Sequence, residues 1–208
     1  MKYLSKNTAF PNVEEASPEG LLAIGANLSA SRLIEAYRKG IFPWFGPEDP
    51  ILWWSPDPRF VLFPERLKVS KSMRQVLRNT DYTITINKAF EAVIAECSKM
   101  KRIGQDSTWI TDSMQEAYIE LHAMGYAKSV EVWRENSLVA GLYGIDLNNG
   151  VFCGESMFTK ESNASKVAFI TFIQNTNYKL IDCQVYTDHL KSLGAEEISR
   201  ALFLQYLE

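Results

Sequence analysis

The sequence predicts an α+β fold, with a small N-terminal α/β domain over residues 1–63 and a larger domain over 64–208. Three observations predict it. Residues 10–64 are dense in turn formers and aromatics. Segments of helical period follow. From Ser129 to Phe158 the period then changes to that of strands.

Element by element, Ser29 opens a helix through Lys39, with Leu33, Ile34 and Tyr37 on one face and Gly40 as its stop. The prolines of Ile41-Phe42-Pro43-Trp44-Phe45-Gly46-Pro47 and Trp53-Trp54-Ser55-Pro56-Asp57-Pro58-Arg59 exclude regular helix and favour extended backbone. The rings on that backbone suit either a surface that holds something or a small aromatic core. Past Phe63-Pro64, Ser70 caps a helix through Asn79. Another runs from Lys88 to Met100, with Phe90, Val93, Ile94 and Cys97 at helical spacing. Thr111 or Asp112 begins a third, which Gly125 ends. Ser129–Trp133, Leu138–Ile145 and Val151–Phe158 read as strands, and their short connections imply antiparallel pairing. Ala164 to Asn175 reads as a helix and Tyr178–Val185 as a final strand. Helices, a three-strand meander, a helix and a strand together resemble the acetyltransferase-like (GNAT-like) fold.

Composition narrows the function classes. The 208 residues carry a net charge of −3, which excludes a general nucleic-acid coat and leaves room for a local basic patch. Three cysteines without a CxxC pair fit a reducing compartment, and two histidines give no support to a metal site. No apolar run approaches the roughly 20 residues that span a bilayer. The N-terminus lacks the apolar core of a signal peptide. A cytoplasmic protein without a membrane segment is expected.

Strand alternation picks out three polar residues. Val151, Cys153, Glu155 and Met157 share one face of the third strand, with Glu155 the lone charge on it. On the later strand Leu180, Asp182 and Gln184 share a face. A buried carboxylate needs a partner or a cavity, so each of these residues reads either as a structural polar group or as part of a site. Lys71, Arg74 and Arg78 fall at i, i+3 and i+7. They form one helical stripe that suits phosphates, or else a solvated face.

Seven segments then carry a resemblance. Gly20-Leu21-Leu22-Ala23-Ile24-Gly25, Gly40-Ile41-Phe42-Pro43-Trp44-Phe45, Ile51 through Arg59, Thr108-Trp109-Ile110-Thr111, Cys153-Gly154-Glu155-Ser156-Met157-Phe158, Asn163-Ala164-Ser165-Lys166 and Leu180-Ile181-Asp182-Cys183-Gln184-Val185 stand in family order. In these the chain resembles the leucyl/phenylalanyl-tRNA–protein transferase family, over nearly its whole length. The resemblance implies transfer of Leu or Phe, and less readily Met, from aminoacyl-tRNA to proteins that begin with Arg or Lys, marking them for N-end rule degradation. It also implies Asp182, Gln184 and Glu155 as catalytic residues. Leu142, Phe169 and Val185 would line an aminoacyl pocket. Trp44 and Trp109 would stack on the terminal adenosine, with Tyr37 and Tyr118 as further substrate-binding candidates. Lys71, Arg74 and Arg78 would contact tRNA, although Gln75 and Asn79 replace basic residues expected on that helix.

Such chemistry needs no cofactor and no metal. The donor ester is already activated, and the acceptor α-amine, with an ordinary pKa of about 7.7–8.0, is partly neutral near pH 7. Two rivals are a CoA-dependent N-acyltransferase and a non-catalytic tRNA- or peptide-binding module. The first is weakened because Lys160-Glu161-Ser162-Asn163-Ala164-Ser165-Lys166, at the entry to the helix after the meander, holds no glycine where a pyrophosphate would have to approach backbone.

Overall fold

The computed structural model describes residues 2–100 and 108–208. The chain begins with β1 (Lys2–Leu4) and β2 (Leu21–Gly25), then α1 (Ala30–Arg38), β3 (Phe42–Pro43) and β4 (Leu52–Trp54). These four strands form one small sheet in the order β1-β2-β4-β3. Gly40 ends α1 in the left-handed region, at φ 71, where a side chain would also strike Leu204.

The rest of the described chain builds a seven-stranded sheet. Its elements are β5 (Arg59–Leu62), α2 (Lys71–Asn79), β6 (Thr83–Ile86), α3 (Phe90–Ser98), α4 (Asp112–Ala123), β7 (Ala127–Arg134), β8 (Ser137–Asp146), β9 (Val151–Thr159), α5 (Ala164–Gln174), β10 (Leu180–Gln184), α6 (Asp188–Ser192), β11 (Glu196–Ile198) and α7 (Arg200–Gln205). The spatial order is β11-β5-β10-β9-β8-β7-β6. Side-chain caps set two helix starts as the sequence predicts: Ser70 accepts from the Met73 amide at 3.1 Å, and Thr111 from the Met114 amide at 3.3 Å. β6, β11 and the last two helices lie outside the elements expected from periodicity, because three to six residues are too few to display a period.

The architecture is α+β, with the expected meander at β7, β8 and β9. The expected division at residues 63 and 64 falls after β5, yet β5 pairs with β10 and β11 of the larger sheet. Sheet membership therefore changes between Trp54 and Arg59, ahead of that division. β5 belongs with the larger sheet because burial of its whole length, Arg59 included, depends on β10.

Two apolar clusters flank the larger sheet. The first joins α1, the small sheet, α3 and α4 through residues such as Leu33, Tyr37, Trp53, Ile94, Met114 and Tyr118. The second gathers α2 and α5 through Met73, Val167, Phe169 and Ile170. α1 packs directly on α4, so the small sheet is anchored beside the site described next.

Candidate active site

β9 and β10 are the one parallel pair of the larger sheet among the described residues. Their ladder runs Leu180 to Val151, Ile181 to Phe152 and Asp182 to Cys153, and ends there. Both strands lose their regular pleat at that point. On β9, Tyr143 faces Ser156 while Gly144 faces Gly154, so Glu155 is the extra residue of a bulge. On β10, Asp182 faces Val61 while Gln184 faces Phe60, so Cys183 is the extra residue. Gln184 then turns into the left-handed region at φ 64 and ends the strand before Val185. The two bulges splay the strands and aim Glu155 and Gln184 at each other.

The β9 bulge corrects one expectation. Val151 and Cys153 lie in the first cluster as predicted, but Met157 packs with the second and Phe158 takes the first. One extra residue shifts the alternation beyond it, so Glu155 and Met157 no longer share a face.

A chain of hydrogen bonds crosses the splay. Gln184 Nε2 donates to Glu155 Oε1 at 2.7 Å, and Tyr118 Oη donates to Glu155 Oε2 at 3.0 Å. The Tyr37 hydroxyl is in hydrogen-bond contact with that of Tyr118. The Gln184 amide donates to Asp182 Oδ1 at 2.9 Å and so fixes the left-handed turn. Asp182 is fully buried and clasped by Arg59 through Nε at 2.8 Å and Nη2 at 2.6 Å. Arg59 Nη1 reaches the Gly40 carbonyl at 3.3 Å, and the guanidinium lies over Phe42 and Phe203 at 4.7 and 4.6 Å from their ring centres. This planar fork is the geometry that makes a buried pair tolerable.

Burial pushes the Glu155 carboxyl up to about 7, against the hydrogen bonds from Tyr37, Tyr118 and Gln184, and the nearby Asp182 charge adds to the rise. Burial likewise raises the Tyr37 and Tyr118 hydroxyls and the Cys153 and Cys183 thiols. Both thiols stay protonated near neutral pH and are poor nucleophiles.

Between the splayed strands lies a cavity of about 430 Å³. Trp44 and Trp109 line it on the side of the first cluster, and Leu142, Phe152, Phe169 and Ile181 on the side of the second. Glu155, Asp182 and Gln184 lie between. Val185, 42% exposed, lines its rim. Trp44 is held by its neighbour: Trp54 Nε1 donates to its carbonyl at 2.7 Å and the two rings are 5.7 Å apart. The cavity walls are mostly apolar, and the Glu155–Gln184 bridge sets a hydrogen-bonded polar pair among them. Such a space can take an apolar group and present its polar end to that bridge.

The structure thus brings Glu155, Asp182, Gln184, Trp44, Trp109, Leu142, Phe169 and Val185 to one cavity. Tyr37 and Tyr118 lie behind Glu155 and not on the cavity wall, so they reach its contents through Glu155. Lys71, Arg74 and Arg78 are exposed on α2 and line no part of it, and Arg74 donates to the Val69 carbonyl at 2.9 Å. Sequence reasoning missed two residues. Arg59 stands in a quoted segment, and the need of buried Asp182 for a cation was the available signal. His189 lines the cavity from α6, and nothing local announces it. Among the described residues no group of three or more His, Cys, Asp or Glu could hold a metal ion, and no helix is long and apolar enough to cross a membrane.

Comparisons with known proteins bear on this geometry. A protein named leucyl/phenylalanyl-tRNA–protein transferase from Flavobacterium johnsoniae is 56% identical, over 100% of this chain and 99% of its own. One of the same name from Pseudomonas fluorescens is 52% identical, over 100% of this chain and 93% of its own. Among solved structures, a GCN5-related N-acetyltransferase from Kribbella flavida aligns with a TM-score of 0.39 and 12% identity, over 79% of this chain and 59% of that one. Residues 26–57 match the N-terminal domain described for leucyl/phenylalanyl-tRNA protein transferases, and residues 61–208 match the main domain of the same description. With most of its length matched in this way, the chain belongs to the leucyl/phenylalanyl-tRNA protein transferase family.

Proposed function

We propose that this chain moves Leu or Phe, and less readily Met, from aminoacyl-tRNA to the α-amine of proteins beginning with Arg or Lys, marking them for N-end rule degradation. One observation carries the reading: an apolar cavity meets a hydrogen-bonded carboxyl–amide pair, Glu155 and Gln184, at the splay of two strands. The donor side chain occupies the wall formed by Leu142 and Phe169, with Val185 at the rim. The terminal adenosine stacks on Trp44 and Trp109, each base–ring contact contributing roughly 1–3 kcal/mol. An apolar pocket separates side chains by only about 1–3 kcal/mol per methylene, which accounts for the overlap among Leu, Phe and Met.

The acceptor amine attacks the ester carbonyl, the carbon–oxygen bond to the ribose breaks, and the amine's proton ends on solvent or on the departing ribose oxygen. Ionised Glu155 accepts from Gln184 Nε2, which turns Gln184 Oε1 toward the incoming N–H. Protonated Glu155 would donate instead and reverse the amide, so the reaction needs the ionised carboxylate. Asp182 acts as a positioning residue, because Arg59 and the Gln184 amide already occupy its oxygens. Tyr118 and Tyr37 hold Glu155 from behind. The Lys71, Arg74 and Arg78 stripe contacts phosphates of the acceptor stem without reading bases. The small sheet with α1 would form the N-terminal domain, and the seven-stranded sheet the catalytic one. Neither ATP, a metal nor CoA enters these steps, and cytoplasmic placement follows from the need for charged tRNA.

The test mixes the protein with labelled Leu-tRNA and a peptide beginning with Arg, without ATP or acetyl-CoA. Label should appear on the peptide's α-amine. Binding of the tRNA with no transfer would favour a non-catalytic module.

A further inference from the structure

We propose that His189, which lines the same cavity as Ser165, forms a polar end to the donor pocket and so decides between leucyl and phenylalanyl donors. The inference rests on the donor reading above and goes beyond it by naming what sets the preference.

The cavity passes between the splayed strands, since residues of both apolar clusters line it. Its wall on the second side is apolar at Leu142, Phe169 and Leu190, and polar at Ser165 and His189. Ser165 is one helical turn before Phe169 on α5, so the two share a face of that helix. The Ser165 side chain is 9% exposed and lines the same cavity. His189 Nε2 is buried with no hydrogen-bond partner among the described residues. Burial, reinforced by the Lys166 charge, lowers the His189 ring below its ordinary range, so it is mostly neutral near pH 7.

A buried polar atom without a protein partner must bond to solvent or to the occupant of the cavity. An apolar group pressed over His189 Nε2 leaves it unsatisfied, and that loss weakens binding. A leucine side chain is the shorter of the two donors and leaves this end to solvent. A phenylalanine ring reaches farther and covers it. The polar end therefore favours the leucyl donor, although phenylalanine buries more apolar surface.

The test compares kcat/KM for Leu-tRNA and Phe-tRNA in the wild type, His189→Leu and His189→Gln. His189→Leu should raise the Phe-to-Leu ratio about tenfold. His189→Gln, which restores an amide near the position of Nε2, should return the ratio close to that of the wild type. An unchanged ratio in His189→Leu overturns the proposal, as does an equal shift in both variants. A merely structural role would lower both donors together and leave the ratio alone. If His189→Leu fails to fold, His189→Met supplies the same apolar replacement and is read the same way. Absence of transfer by the wild type from either donor would instead defeat the reading of the cavity as a donor site.

Discussion

Glu155 is the residue at which burial and chemistry meet. Its carboxyl, raised to about 7, changes charge in the range where the acceptor amine begins to lose its proton. The transfer rate from saturating donor should therefore rise with pH through about 7. Glu155→Gln should remove the part of that rise centred near 7, leave the part that follows deprotonation of the acceptor amine at about 7.7–8.0, and lower transfer by roughly 10²-fold or more, the scale of a lost acid–base or orienting group. A pH profile unchanged by Glu155→Gln would contradict the role. Stability follows the opposite course. A carboxyl whose folded pKa is raised contributes most below its unfolded value, near 4.5, and loses that contribution as pH rises through about 7. Over that window the wild type should lose stability relative to Glu155→Gln, as thermal melts of the pair at several pH values would show. Asp182 makes a different prediction. Its removal as Asp182→Ala strands the guanidinium of Arg59 in the interior, at a cost of about 3–5 kcal/mol in denaturant unfolding. Asp182→Asn keeps the shape and is the variant in which turnover can be read. Glu155, Asp182 and Gln184 were visible in the sequence because polar residues interrupt apolar strands. Arg59 was not paired with Asp182 because the partners stand 123 residues apart, and alternation carries no information across that distance.

At the scale of elements, the site depends on two irregularities. A regular β9 would pair onward with β10 and close the cavity, and a regular β10 would carry Gln184 past Glu155. The strands themselves were legible from period two, and the capped helices from Ser70 and Thr111. The bulges were not, since Gly154-Glu155-Ser156 and Asp182-Cys183-Gln184 contain nothing that prevents regular pleating. Their cause is tertiary: Asp182 draws the Gln184 amide to itself, and Glu155 is held by Tyr118 from α4. The α2 stripe is a prediction of the same scale. Lys71, Arg74 and Arg78 lie exposed on one helix and outside the cavity. Replacing all three by Gln should weaken tRNA binding and reduce the salt slope by about one per residue, with transfer from a short aminoacyl-adenosine donor unaffected. An unaltered slope would place the tRNA on another surface.

For the whole molecule, the small sheet and the seven-stranded sheet contribute different parts of one cavity. Trp44 follows β3, while the carboxyl–amide pair comes from β9 and β10. The order of elements was readable in the sequence, and so was membership of the family, because matching segments run the length of the chain. Which sheet owned β5 was not readable, since Phe60-Val61-Leu62-Phe63 is apolar enough to end one domain or begin another. The central claim is that the cavity holds an aminoacyl-adenosine with its ester carbonyl at Gln184. The most direct measurement is a crystal structure with puromycin. The claim predicts its base between Trp44 and Trp109, its side chain against Leu142 and Phe169, and its carbonyl within hydrogen-bond reach of the Gln184 side chain. Puromycin bound elsewhere, or with its carbonyl turned away from Gln184 and Glu155, would contradict it.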